Sequence, residues 1–215
     1  MVLLHSYTIY HSPNAYLGTV LLRRAIAELP GVKLVRRPIY VPRERGMMIA
    51  ELLGGKENRN ASSYNREDCR RWSERHGIAM AYPDASVFHE RAKRWAVAPF
   101  EREELPARAF YAAGADKREH LDQALFEAAW IEGLDVNEPA TISWAAVRAG
   151  LDPEPLMAAV TAPRPREEVC AALSEFERLG CPGVPTVVVD GQRFFGKDRV
   201  DWAIEACRAL ISQRS

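Results

Sequence analysis

The chain has 215 residues, 47% hydrophobic and 27% charged, a composition that supports an ordinary globular core. Its 29 Lys and Arg residues balance its 29 Asp and Glu residues, so the overall charge does not predict binding to nucleic acid or to a membrane. No apolar run reaches the roughly 20 residues that a bilayer crossing needs. The N-terminus lacks a signal-peptide pattern, so we expect a soluble, cytoplasmic protein.

The N-terminal segment predicts a strand, a helix and a second strand. Residues 2–10 are rich in β-forming side chains, and an apolar helical pattern follows over residues 14–29. Ser12 stands where an N-cap belongs, and Pro13 suits the first helical position. Residues 32–41 predict the second strand, and this order favours a parallel pair with a right-handed crossover.

The middle of the chain predicts a loop followed by a long helical region. Residues 42–63 read as a loop with a short helical stretch at 47–53, and Gly54–Ser63 is the candidate for a mobile lid. A helix is predicted over residues 65–76. Beyond it, Pro, Gly and Asp separate five further helix candidates, at residues 84–97, 119–133, 140–150, 152–160 and 165–180.

The C-terminal segment returns to strand. Residues 183–189 and 192–195 predict two strands joined at Asp190-Gly191, a strong hairpin signal, and a last helix runs from about residue 199 to 212. The whole pattern predicts an α/β, thioredoxin-like core with an all-helical insertion. We expect a discontinuous core domain of residues 1–78 and 181–215, and a helical insertion of residues 79–180.

Three distant segments would meet in such a fold: Ser12-Pro13 at the start of the first helix, Val184-Pro185 at the start of the third strand, and residues 195–198 at the start of the last helix. A specific resemblance is carried by residues 10–17 (YHSPNAYL), 123–133 (QALFEAAWIEG) and 183–202 (GVPTVVVDGQRFFGKDRVDW). The chain resembles the 2-hydroxychromene-2-carboxylate isomerase family, which is similar to kappa-class glutathione transferases and to the DsbA-type thioredoxin fold. The resemblance implies glutathione as cofactor, a small-molecule substrate, with an aromatic carboxylate as candidate, and a homodimer.

The resemblance also implies a set of glutathione-binding residues. They are Ser12, Pro13, Val184, Pro185, Phe195, Gly196, Lys197 and Asp198. Ser12 is the predicted catalytic residue, because a hydroxyl at a helix N-terminus can donate to a thiolate that the helix already stabilises. Pro185 matches the cis-proline position, and Asp198 would bind the γ-glutamyl ammonium group.

Simpler roles exist for each of these residues. Ser12 and Asp198 can be helix caps only, worth about 1 kcal/mol each, and Pro185 can be a trans proline at a strand start. The four cysteines form no C-x-x-C motif, and the five histidines have no metal-ligand spacing, so no metal is predicted.

Two further functions stay open besides a glutathione-dependent isomerase or transferase of aromatic catabolism. One is a DsbA-class thiol–disulfide oxidoreductase, against which the missing C-x-x-C argues. The other is a non-catalytic glutathione-binding or thioredoxin-like protein. The chain departs from the family at Asn14, where many members have an aromatic residue, and in its proline-free loop. Lys56, Asn58 or Asn60 could replace the family's loop lysine, and Arg43 or Arg45 could meet a substrate carboxylate.

Overall fold

The computed structural model describes residues 1–45 and 59–214. The strands are β1 (Val2–Thr8), β2 (Val32–Pro38), β3 (Thr186–Val189) and β4 (Gln192–Phe195). The helices are α1 (Pro13–Ala27), α2 (Arg59–His76), α3 (Ala85–Val97), α4 (Glu104–Ala112), α5 (Arg118–Trp130), α6 (Pro139–Arg148), α7 (Pro153–Val160), α8 (Pro163–Arg178) and α9 (Val200–Arg214). A 3₁₀ turn, Lys197–Arg199, precedes α9.

The four strands form one mixed sheet in the order β2-β1-β3-β4. β1 pairs in parallel with β2, from Val2 opposite Val32 onward, and antiparallel with β3. β3 and β4 form the predicted hairpin, whose turn places Asp190 and Gly191 at φ +48° and +77°. The predicted strand–helix–strand and hairpin–helix order is therefore confirmed.

The side chains on the two faces of β1 pack against different helices. Leu4 is fully buried in an apolar cluster with Leu22 of α1 and Ile204 of α9. Tyr7 points to the other face, as the alternation along a strand requires, and its ring lies 5.7 Å from that of Phe176 in α8. The sheet is thus covered by α1 and α9 on one side and by the C-terminal half of α8 on the other.

Two helical predictions are corrected by the structure. α2 begins at Arg59, so residues 59–63 are helical and not part of a loop. Asn and Ser are weak helix formers, but the penalty is only about 0.5 kcal/mol per residue, which extension of an existing helix overrides. α4 was not predicted, because Pro106 interrupts its pattern; the proline lies in the first turn, where its missing N–H is not needed.

The chain divides into two compact units, residues 1–39 with 170–215, and residues 40–169. The predicted helical insertion starts at residue 79, later than the second unit. That unit is helical, and its core includes Trp130, whose ring makes edge contacts with Tyr82. The predicted stretch at 47–53 and residues 54–58 of the candidate lid lie outside the described residues, and residues 59–63 of that lid belong to α2. Within residues 1–45 and 59–214, no helix has the length and apolar character that a bilayer crossing requires.

Candidate functional site

The turn from β1 into α1 places Ser12 at the helix N-cap. Its backbone is extended, with φ −91° and ψ 115°, and its Oγ accepts a 3.2 Å hydrogen bond from the N–H of Ala15. Pro13 occupies the first helical position, and the N–H of Tyr16 donates to the Ser12 carbonyl at 3.0 Å. The predicted capping role of Ser12 is therefore confirmed.

Capping uses one acceptor position of the Ser12 hydroxyl and leaves its donor hydrogen without a partner within the described residues. A serine hydroxyl has one donor hydrogen and two acceptor lone pairs, and the bond from Ala15 occupies one lone pair. The O–H of Ser12 meets no acceptor among residues 1–45 and 59–214. The half-buried hydroxyl can donate to an anion at the mouth of α1, where unpaired N–H groups and the helix dipole already favour negative charge.

The loop before β3 contributes a second polar group. The Val184–Pro185 peptide bond is cis, as the sequence predicts. The hydroxyl of Thr186 donates to the Gly183 carbonyl at 2.6 Å and fixes the start of this loop. In the described part of the chain, the N–H and C=O of Val184 form no hydrogen bond. Because backbone polar groups normally find partners, Val184 offers a donor and an acceptor to a peptide-like ligand.

Gly18 brings α1 against the other two segments. A β-carbon built at Gly18 would lie 3.2 Å from Cγ of Pro185 and 3.4 Å from Cα of Lys197. Helix α1, which begins after Ser12, therefore meets the cis-proline loop and the 3₁₀ turn at Gly18. Gly18 itself was not predicted to matter. The sequence nevertheless contained a hint. Glycine inside a helix makes that helix less stable than alanine would, by about 1 kcal/mol, so a glycine in this place can indicate that a neighbouring segment packs closely against the helix.

Gly196 joins β4 to the 3₁₀ turn and ties it to the proline loop. Its N–H donates to the Pro185 carbonyl at 2.9 Å. Its φ is +104°, and any side chain there would collide with Oδ1 of Asp198. The backbone conformation therefore requires glycine at this position, and any side chain there would also displace the Asp198 carboxylate.

The remaining predicted residues surround this turn. The Asp198 carboxylate is half-exposed and accepts a 2.6 Å hydrogen bond from Arg199 instead of capping a backbone N–H. Lys197 is buried, whereas the exposed ring of Phe195 lies over Gly183. Exposed ion pairs contribute only about 0 to 1 kcal/mol, so an incoming ammonium group can compete with Arg199 for Asp198.

Comparison with known protein families assigns the same fold to this chain. The sequence-family model of the DsbA-like thioredoxin domain matches residues 4–206, nearly the whole chain. The chain belongs to the DsbA-like thioredoxin domain family. The predicted thioredoxin-like fold is confirmed by this match.

Individual relatives of this DsbA-like thioredoxin domain include isomerases and oxidoreductases. It is 27% identical over 199 residues to a 2-hydroxychromene-2-carboxylate isomerase of Sphingobium xenophagum, covering 91% of this chain and 93% of that protein. A solved 2-hydroxychromene-2-carboxylate isomerase superposes with a TM-score of 0.72 at 21% identity, covering 99% of this chain and 97% of the other. The cytosolic disulfide reductase DsbM from Pseudomonas aeruginosa, solved with GSH, gives a TM-score of 0.62 at 17% identity, covering 98% and 99%. Both structures share the fold, and similarity to the isomerase supports enzymatic activity in the family.

The cysteines of this DsbA-like thioredoxin domain are wholly or partly buried and form no disulfide bonds. All four are free thiols, with Cys69 and Cys207 fully buried and Cys170 and Cys181 half-buried. Burial raises the pKa of Cys207 and of Cys181, which disfavours the reactive thiolate in both. The start of α1 carries Ser12 and no cysteine.

The two arginines suggested for substrate binding differ in their surroundings. Arg43 donates from its guanidinium to the carbonyls of Ala96 and Ala98 at 2.6 and 2.8 Å, so its donors already serve the packing of the helical unit. Arg45 is exposed. Lys56 and Asn58 lie outside the described residues, and Asn60 lies in α2.

Proposed function

We propose that the chain binds glutathione at the corner formed by Ser12, the Val184–Pro185 loop and the 195–198 turn, and that it acts as a glutathione-dependent isomerase. The observation that carries the proposal is the Ser12 hydroxyl, which caps α1 through a lone pair and keeps its O–H for a ligand. The protein supplies no thiol at this position, so the sulfur comes with the ligand.

Each part of glutathione has a chemical counterpart in this corner. The sulfur lies at the mouth of α1 and accepts the Ser12 O–H, so that its ionised form is stabilised. The cysteinyl backbone pairs with the free N–H and C=O of Val184. The γ-glutamyl ammonium meets Asp198, and Pro13, Phe195, Gly196 and Lys197 line the remainder.

In the proposed reaction the thiolate is a temporary nucleophile. It adds to an unsaturated carbon of the substrate, forming a C–S bond and moving an electron pair onto the conjugated carbonyl group. The former double bond then rotates as a single bond. The returning electron pair expels the thiolate, so glutathione is regenerated and no oxidant or reductant is needed. A kappa-like transferase would differ only in releasing the adduct.

Two relatives support this direction. The 27% identity extends over most of a protein whose reaction is an isomerisation, and a fold relative, DsbM, has been solved with GSH. We extend the proposal to a small aromatic carboxylate as substrate and to a homodimer as the assembly. We do not propose a DsbA-type dithiol reaction, because the chain has no C-x-x-C motif and the start of α1 carries Ser12.

The wild type and three variants of residue 12 test the proposal. The pKa of the thiol of bound glutathione is followed by thiolate absorbance in the wild type, Ser12→Thr, Ser12→Ala and Ser12→Asp. Threonine keeps both the cap and the donor, aspartate keeps the cap alone, and alanine removes both. We expect Ser12→Ala and Ser12→Asp to raise the thiol pKa by about one or more, since a hydrogen bond to a charged group contributes about 1.5–3 kcal/mol.

Folding and binding are separated by two controls. Ser12→Ala should lower the free energy of unfolding by about 1 kcal/mol, whereas Ser12→Asp should not, because aspartate is a good N-cap. S-methylglutathione should still bind the wild type but show no thiolate. An unchanged thiol pKa in both donor-free variants, or efficient insulin disulfide reduction by the wild type, would contradict the proposed role of Ser12.

A further inference from the structure

An ion pair and an exposed aromatic ring occur together where the 3₁₀ turn enters α9. Nη1 of Arg199 donates a 2.6 Å hydrogen bond to Oδ2 of Asp198, and the guanidinium carbon of Arg199 lies 4.5 Å from the centre of the Trp202 ring. Trp202 is 56% exposed, although tryptophan side chains are highly buried on average. Neither Arg199 nor Trp202 is among the glutathione-binding residues named above.

Both members of the ion pair keep unused hydrogen-bonding capacity. Among the described residues, Arg199 donates only through Nη1, to the carbonyl and the carboxylate of Asp198, so Nη2 and Nε are unused. A carboxylate offers about four lone pairs. Oδ1 of Asp198, which lies beside Gly196, accepts no hydrogen bond from the described part of the chain. The side chains of Asp198 and Arg199 are 48% and 41% exposed, so a ligand can reach both.

Stability alone does not account for this arrangement. An exposed ion pair contributes little, because water screens both charges and two side chains lose freedom. A guanidinium over an exposed ring adds only a modest cation–π attraction. The contact with Trp202 does, however, restrict a long side chain before any ligand arrives. The guanidinium of Arg199 is therefore preorganised for a planar anion such as a carboxylate.

We infer that Arg199 binds the α-carboxylate of the γ-glutamyl residue of glutathione, and that Trp202 is its positioning residue. The inference rests on the proposed glutathione site, in which Asp198 meets the ammonium group of the same γ-glutamyl residue. An α-amino acid carries its two opposite charges on one carbon atom, and Asp198 and Arg199 hold the complementary charges within one hydrogen bond of each other. The ammonium group lies against Oδ1 and the carboxylate against Nη2 and Nε, so that the charges alternate in sign.

This pairing makes the amino-acid end of glutathione a determinant of ligand choice, in addition to the thiol. A thiol peptide that lacks either charge leaves one member of the Asp198–Arg199 pair without its ligand partner, which lowers affinity for that peptide specifically. The protein should therefore select γ-glutamyl thiols over thiol peptides with only one of the two charges.

Two glutathione analogues test the inference. γ-Aminobutyryl-cysteinylglycine lacks only the α-carboxylate, and glutaryl-cysteinylglycine lacks only the ammonium group. The Kd of glutathione and of each analogue is measured by isothermal titration calorimetry for the wild type, Arg199→Gln and Asp198→Asn. We expect the wild type to bind glutathione about tenfold more tightly than either analogue, as one charge-assisted hydrogen bond allows. Arg199→Gln should lose the preference over the γ-aminobutyryl peptide alone, and Asp198→Asn the preference over the glutaryl peptide.

Two further substitutions separate recognition from general effects of charge and folding. Arg208 is an exposed arginine of α9, about two turns beyond Arg199, and Arg208→Gln should keep both wild-type preferences. Trp202→Leu should reduce the preference over the γ-aminobutyryl peptide from about tenfold to about threefold, and Trp202→Tyr should restore it. Each result is a ratio of two affinities on one protein, so a change in folding alone does not produce it.

Three outcomes would overturn the inference while leaving glutathione binding intact. They are equal wild-type affinities for glutathione and the γ-aminobutyryl peptide, an unchanged preference in Arg199→Gln, and the same loss of preference in Arg208→Gln as in Arg199→Gln. Wild-type protein that binds none of the three peptides would instead overturn the proposed glutathione site together with this inference, so the two failures are distinguishable.

Discussion

The α-carbon of Gly18 faces the ring of Pro185 so closely that a β-carbon at position 18 would lie 3.2 Å from Cγ of the proline. The same β-carbon would lie 3.4 Å from the backbone of Lys197. One residue of α1 therefore determines how closely the helix, the proline loop and the 3₁₀ turn approach one another. The dimensions of the proposed glutathione site depend on that approach.

Gly18→Ala sets two effects against each other. Alanine favours a helix over glycine by about 1 kcal/mol, whereas added volume in a closely packed site destabilises by about 1–3 kcal/mol. We expect crowding to prevail because the new methyl group would lie only 3.2 Å from Cγ of Pro185, a ring atom that cannot rotate away as the end of a flexible side chain would. The net loss should be about 1 kcal/mol in urea unfolding, with weaker glutathione binding. Gly18→Val should lose more, and a Gly18→Ala protein more stable than the wild type would contradict the close contact.

Gly196→Ala and Gly191→Ala form a matched pair in the β4 region. Both glycines have positive φ, +104° and +77°, so both substitutions strain the backbone by about 1–3 kcal/mol. A side chain at 191 meets no atom within 4 Å, whereas one at 196 collides with Asp198. We expect the larger loss of unfolding free energy at 196, together with weaker glutathione binding that Gly191→Ala does not share. Equal effects on binding would show that the position of Asp198 does not matter.

The features that the sequence predicted best are those fixed by short-range chemistry. Ser12 before Pro13 predicts a helix start, and Asp190-Gly191 predicts a hairpin, because each depends on a few adjacent residues. The sequence pattern did not show that a helix begins two residues before Pro106. A proline usually indicates a helix break, and it is compatible with a helix only in the first turn, which is where Pro106 lies in α4.

The packing of the site depends on contacts between distant segments. In the sequence, Gly18 is only a residue of low helix propensity within an apolar helix. The structure shows that Pro185 and Lys197 lie so close to it that a larger side chain would be crowded. Likewise, the unpaired backbone of Val184 is a property of the assembled loop and has no signature in sequence. The resemblance to a known family grouped these segments, but it did not supply the contacts that join them.

Stability should fall on mild acidification because of His5. Burial, reinforced by Arg37 and opposed by Glu175, lowers the pKa of His5 below its ordinary value of 6.5. In the unfolded chain the imidazole takes up a proton below about pH 6.5, whereas the folded protein resists protonation. The stability present above that pH is therefore lost as the pH falls toward the lowered pKa.

Melting temperatures measured from about pH 7.5 to about pH 5.5 test this linkage, because the range crosses the ordinary pKa of histidine. His5→Asn should flatten the decline relative to the wild type. The exposed His120 provides the control, and His120→Asn should follow the wild type. If all three proteins lose stability in parallel, the proton uptake belongs to other groups.

The helical unit contains a buried carboxylate whose removal should be far more damaging than that of a neighbouring exposed one. Asp135 is buried and accepts a 3.3 Å hydrogen bond from Nε1 of Trp95, with Nε of Arg91 3.9 Å away. Arg91 is buried as well, and burial lowers its pKa. Asp135→Ala leaves that guanidinium buried without its carboxylate, and breaking a buried pair in this way destabilises by about 3–5 kcal/mol.

Glu138→Ala is the matched control for Asp135→Ala, because Glu138 forms a 3.7 Å pair with Arg94 in which both side chains are about half-exposed. Solvent weakens such a pair, so its loss should change the free energy of unfolding by less than about 1 kcal/mol. Asp135→Asn should fall between the two, since the amide oxygen still accepts from Trp95 but no longer balances Arg91. Urea unfolding of the three variants measures the difference. If Asp135→Ala is no less stable than Glu138→Ala, the buried carboxylate does not stabilise the packing of α3.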